Sequence, residues 1–186
     1  MGVKIMRLLK AFLVGATGLF IVITLFSLLI PSRVRVSRAV LINGSSTAAV
    51  RAQISNFSNW TNWHPIFTSD SATGSWQTNK SANPETSYRI AHGNQNILLT
   101  PQPSDSIATR FLLDAAGENE VENEIVVLPL PAQQAVQVEW RAITKLSWYP
   151  WQKFYGIFID QLTGPGYETA LNSLKTFLEQ TPVAAQ

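Results

Sequence analysis

The sequence predicts an α+β fold: an antiparallel meander followed by a helical C-terminal segment and preceded by a single transmembrane helix. Three observations predict it. Residues 11–30 (AFLVGATGLFIVITLFSLLI) carry no charge, residues 33–146 divide into short alternating runs separated by turn formers, and residues 152–180 return to helical apolar spacing. A length of 186 residues suits one domain with a sizeable core. With 46% hydrophobic and only 14% charged residues, the composition excludes a disordered or coiled-coil chain.

The apolar run comes first. At about 1.5 Å per residue, twenty helical residues span about 30 Å, the thickness of a bilayer's hydrocarbon core. A buried soluble helix would keep one polar face, and this run has none. Lys4, Arg7 and Lys10 precede it, as in a signal peptide, but the run is longer than an h-region and no A-x-A site follows. The expectation is a basic tail over 1–10, an uncleaved single-pass anchor over 11–30, a domain over 31–180 and a disordered tail over 181–186. Arg33, Arg35 and Arg38 nearly balance the three basic residues before the span. The free amino terminus tips the balance toward an exported, periplasmic domain.

Beyond the anchor, Val34, Val36 and Val40 alternate with Arg33, Arg35, Ser37 and Arg38, predicting a half-buried strand from Arg33 to Ile42. Asn43-Gly44 breaks it, and Ser45 or Ser46 caps a helix running to about Ser55. A second short helix or tight turn follows, ending at His64 because Pro65 disfavours the helical conformation there. Six strand-like runs come next, at Gly74–Asn79, Thr86–His92, Asn96–Pro101, Ile107–Asp114, Val121–Leu130 and Ala135–Leu146. Short turns between them argue an antiparallel meander. From residue 152 the pattern is helical, with Phe154, Ile157, Phe158 and Leu162 on one apolar face and Tyr167, Ala170, Leu171, Leu174, Phe177 and Leu178 on another. Gly164-Pro165-Gly166 lies between the two and predicts a kink or break.

Inventory removes several functions. No cysteine means no disulfide, thiolate metal site or cysteine nucleophile. Eleven of the 14 basic residues and all 12 acidic ones lie after residue 30, leaving that stretch at −1. It therefore lacks the basic face that nucleic acid requires. His64 and His92 lie in unrelated segments, so neither a metal site nor a catalytic pair is expected. Glu118, Glu120, Glu122 and Glu124 alternate along a line and read as a solvated strand face rather than a cation site. No nucleophile elbow, phosphate loop or dinucleotide fingerprint is present, and no cofactor is implied.

The order of strand, two short helices, meander and long helix resembles the START-like helix-grip superfamily, in its polyketide cyclase/dehydrase and lipid-transport (SRPBCC) branch. Residues 31–180 carry the resemblance, in PSRVRVSRAVLI, NFSNWTNWHP and LTGPGYETALNSLKTFLE. Many bacterial members also carry an anchor. The resemblance implies a sheet wrapped on the final helix with an apolar cavity between, holding a lipid or another hydrophobic small molecule.

Within that frame Val136, Val138, Trp140 and Ala142 share the strand face toward the last helix, and Tyr88 shares a face with Ile90. The expected lining is Trp63, Trp76, Tyr88, Phe111, Val138, Trp140, Phe158 and Leu162. Trp60 reads as packing instead. Arg89, Arg110 and Arg141 are the remaining polar candidates, Arg110 pointing to solvent. Trp148, Tyr149, Trp151 and Tyr155 admit two readings: a surface facing the membrane, or an aromatic cap on the cavity. Three functions stay open. They are a membrane-anchored binder of a hydrophobic ligand, a cyclase- or aromatase-like enzyme using the same cavity, and a structural, stress-associated envelope domain whose tryptophans fill it. A cavity below about 300 Å³ would favour the last.

Overall fold

Alternating β-branched and polar residues put Arg33–Asn43 in strand β1 of the computed structural model, which describes residues 2–68, 72–78 and 86–180. Helix α2 (Thr47–Ser55) follows, and Ser46 rather than Ser45 caps it, its side chain accepting from the Ala49 amide at 3.1 Å. A 3-10 turn over Phe57–Asn62 leads to a second short helix, α3 (Pro65–Thr68). Pro65 was expected to end helical structure. The 3-10 turn does end before it, at Asn62, and Pro65 in addition opens α3, at a first-turn position where the missing N–H has no partner to lose.

Strands β2 (Thr73–Thr78), β3 (Thr86–His92), β4 (Gln95–Gln102), β5 (Ala108–Ala115), β6 (Val121–Leu130) and β7 (Ala135–Lys145) form the meander. With β1 they make a seven-stranded antiparallel sheet in the order β1-β7-β6-β5-β4-β3-β2. The first strand thus joins beyond the last, in register from Arg33↔Lys145 to Asn43↔Ala135. On β7, Val136, Val138, Trp140 and Ala142 are buried as the alternation requires.

Two helices close the chain, α4 (Pro150–Gly156) and α5 (Ile159–Gln180). The expected break at Gly164-Pro165 is absent, for α5 runs through it. The interruption lies at Ile157–Phe158, where the amides fold back onto the Phe154 and Tyr155 carbonyls. Helix α5 lays Ala170, Leu171, Leu174 and Leu178 on the sheet's inner face. It is fastened to β1 near both ends. Arg38 bonds both oxygens of Asp160, at 3.0 and 3.2 Å, and Glu179 accepts from the Asn43 amide at 2.9 Å.

The N-terminal helix α1 spans Gly2–Ser27, longer at its start and shorter at its end than the expected 11–30. Residues 28–30 form a turn bonded back to Thr24, Phe26 and Ser27, and Pro31 follows. The residue before a proline avoids the helical region, which ends α1 early. Ile5–Ser27 is long and apolar enough to cross a membrane, and its large apolar side chains are exposed, whereas Ser27 at its end is buried. The expected tail over 181–186 lies outside the described residues.

Candidate functional site: an apolar cavity against the C-terminal helix

The aromatic side chains from the 3-10 turn and the sheet pack on one another. Phe57 meets Trp60 and Phe111 edge to face, each at 5.2 Å, and Trp60 meets Trp140 at 5.6 Å. These ring edges face ring planes, the favoured arrangement for the aromatic quadrupole. The indole donors inside this cluster are satisfied. Trp60 Nε1 donates to the Ile54 carbonyl, Trp63 Nε1 to the Gln53 carbonyl, and Trp140 Nε1 to Asn123 Oδ1.

Beside this cluster a partly open cavity of about 230 Å³ lies between the sheet and α5. Ile90, Leu99 and Trp140 form its sheet wall, Tyr167 and Ala170 its helix wall, and His64 stands at its edge. The His64 ring stacks on Trp60, with centroids 5.2 Å apart and planes 9° from parallel. Its Nδ1 accepts from the Ile66 amide at 3.3 Å, which leaves Nε2 carrying the proton. Burial lowers the His64 pKa to about 4, so the imidazole is uncharged at neutral pH. Tyr167 packs on Trp140 at 5.2 Å, and burial raises its phenol to about 12. The third polar group, Thr163, already donates to the Ile159 carbonyl. Such a site can bury apolar surface and offer weak neutral hydrogen bonds. A histidine with so low a pKa is a feeble base.

Of the eight expected lining residues, Trp140 alone is on this wall among the described residues. Trp63, Tyr88, Phe111 and Val138 are buried, but in the packed core. Trp76 is 45% exposed because β2 is the outer strand of the sheet; its ring stacks on Phe57 and its Nε1 donates to Ser58 Oγ. Phe158 and Leu162 are 53% and 59% exposed and do not line the cavity. The break at 157–158 turns the apolar face they share with Phe154 outward, and α5 presents Ile159, Thr163, Tyr167 and Ala170 inward instead. Trp148, Trp151 and Tyr155 are exposed as well, so they form no cap on the cavity.

His64, for which the sequence indicated no site role, and Tyr167, which helical spacing placed on the apolar face of the last helix, supply the cavity's polar edge. Trp60, read as packing, both packs and lines. The arginines weighed as polar candidates face the other way. Arg110 and Arg141 share Glu124 on the outer face of the sheet, at 2.8 and 3.2 Å, and Arg89 bonds Asn96.

A sheet gripping one long helix, with an apolar cavity between them, is the START-like helix-grip fold. The chain is similar to a START superfamily protein from Mycobacterium smegmatis at 16% identity and a TM-score of 0.60, covering 79% of this chain and 98% of that one. A Thermobifida fusca protein solved by solution NMR gives 17% identity and a TM-score of 0.55, over 76% of this chain and 90% of its own. XoxI from Bacillus cereus gives 15% and 0.54, over 78% and 95%. No protein-family model and no curated protein matches the chain.

Proposed function

We propose that this chain is a membrane-anchored helix-grip domain that takes up a compact hydrophobic molecule, or one apolar arm of a larger one, against α5. The observation that supports this reading is the cavity of about 230 Å³ walled by Trp140, Leu99, Tyr167 and Ala170, with His64 and Tyr167 as its neutral polar edge. Removing apolar ligand surface from water contributes on the order of 25 cal/mol per Å². A dry apolar cavity of about 150 Å³ holds benzene. The space here therefore suits one or two rings or a short acyl segment, and is too small to enclose a whole phospholipid.

A second reading has its own support. The volume lies under the roughly 300 Å³ typical of ligand pockets, and interlocked indoles occupy the rest of the space. On that reading the domain is structural and the cavity a packing remnant.

Gly166 separates the two. It lines the cavity, and a Cβ there would meet no neighbouring atom within 4 Å. Gly166→Leu should fill the space while stabilising α5 by up to about 1 kcal/mol through helix propensity. The binding reading expects the full chain in detergent to take up one equivalent of the two-ring probe 2-naphthol, and Gly166→Leu to lose it. Saturable uptake by neither protein would leave the structural reading standing.

A further inference from the structure

Helix α4 is inside out. Its buried residues are Pro150, Lys153 and Gly156, while Trp151, Phe154 and Tyr155 face outward. A soluble helix normally buries its aromatics and exposes its lysine. Here Lys153 is 3% exposed, and its ammonium donates to the Ile30 carbonyl at 3.0 Å and to Ser32 Oγ at 2.6 Å. Those acceptors belong to the connection between α1 and β1. The charge of α4 is therefore spent on holding the exit of the apolar helix, whose last residue, Ser27, is fully buried.

The outward aromatics continue on both sides. Trp148 is 62% exposed, Trp151 63%, Ile157 56% and Phe158 53%, and Tyr149 stacks on Trp151 at 4.9 Å. The one charged residue within this surface, Asp160, is engaged by Arg38. Arg33 and Arg35 leave the same end of the sheet, exposed. A run of exposed apolar residues rich in tryptophan and tyrosine, flanked by arginines and starting near the end of the apolar helix, has the composition of a membrane–water interface.

We infer that α4 and the flanking residues 148–158 lie in the interfacial layer of the same bilayer that α1 spans, so that the domain rests on the membrane instead of standing off it. This rests on the membrane-anchored reading of α1, and the test keeps the two apart. The chain has no cysteine, so single sites can be spin-labelled in the full chain. The variants are Ile157→Cys and Trp151→Cys on the surface, Leu19→Cys in α1, and Ala132→Cys in the exposed 3-10 turn at the opposite end of the sheet. Each is reconstituted into phosphatidylcholine–phosphatidylglycerol vesicles, and collision with oxygen is compared with collision with a water-soluble nickel chelate.

The expected result is a deep Leu19 label, a fully nickel-accessible Ala132 label, and labels at 151 and 157 that are several-fold less nickel-accessible than Ala132 yet open to oxygen. Labels at 151 and 157 as nickel-accessible as Ala132, with Leu19 still deep, would overturn the interfacial placement and leave the anchor standing. A nickel-accessible Leu19 would overturn both. Labels at 151 and 157 shielded from both reagents would mean burial against protein, a second copy or another partner, and would also overturn it.

Discussion

Trp140 donates to Asn123 Oδ1 at 2.9 Å, and Asn123, itself 3% exposed, donates onward to the Val121 carbonyl at 3.0 Å. A buried acceptor deprived of its donor costs about 1–3 kcal/mol. Trp140→Phe should therefore lower the melting temperature by more than its lost ring area explains, and adding Asn123→Leu should recover part of that loss. A double mutant no more stable than Trp140→Phe would show that the bond is worth little. His64 makes a pH prediction. Its pKa falls from 6.5 to about 4 on folding, so the unfolded chain binds the proton more tightly. Stability is then full above about pH 6.5 and declines as pH falls toward 4, by up to about 3 kcal/mol. His64→Phe keeps a ring against Trp60 and removes the titration. Denaturation followed between pH 7 and pH 4 should be flatter for the variant than for the parent.

At the scale of elements, the strands and the helical C-terminal segment were legible, and the position of the interruption in that segment was not. Alternation along 121–130 and 135–145 gave the register faces because one side of the sheet meets α5 and the other meets solvent. Gly164-Pro165 makes no full break because packing α5 on the sheet outweighs one lost helical bond, to the Gln161 carbonyl in an exposed turn. The usable signal was Gly156, which ends α4. A Cβ at Gly156 would overlap the Leu146 side chain and crowd Val34. Gly156→Ala should cost about 1–3 kcal/mol by overpacking, read as a lower melting temperature. An unchanged melting temperature would mean that α4 is loosely seated. The cavity was only half legible for a related reason. Trp140 follows from strand alternation, but Ile90, Leu99, His64 and Tyr167 converge from separate elements, and no spacing along the chain encodes that meeting. Phe158 and Leu162 failed because the break at 157–158 turns their apolar face away from the sheet, and apolar spacing along the chain does not mark where that break falls.

For the whole molecule, the order of elements predicted the fold, and the apolar run predicted a helix able to span a bilayer. Retention settles whether it does: the full chain should stay with membranes through alkaline carbonate extraction, and release into the supernatant would remove the anchor reading. The joint between helix and domain carries a further consequence. Residues 28–32 are the whole connection between α1 and β1, and two of them are held by Lys153. Even fully extended, at about 3.5 Å per residue, so short a tether reaches less than 20 Å. If α1 spans a bilayer and the cavity takes a ligand, such a domain is a moored station and not a ferry: its ligand would have to arrive along the bilayer or be handed over at its surface.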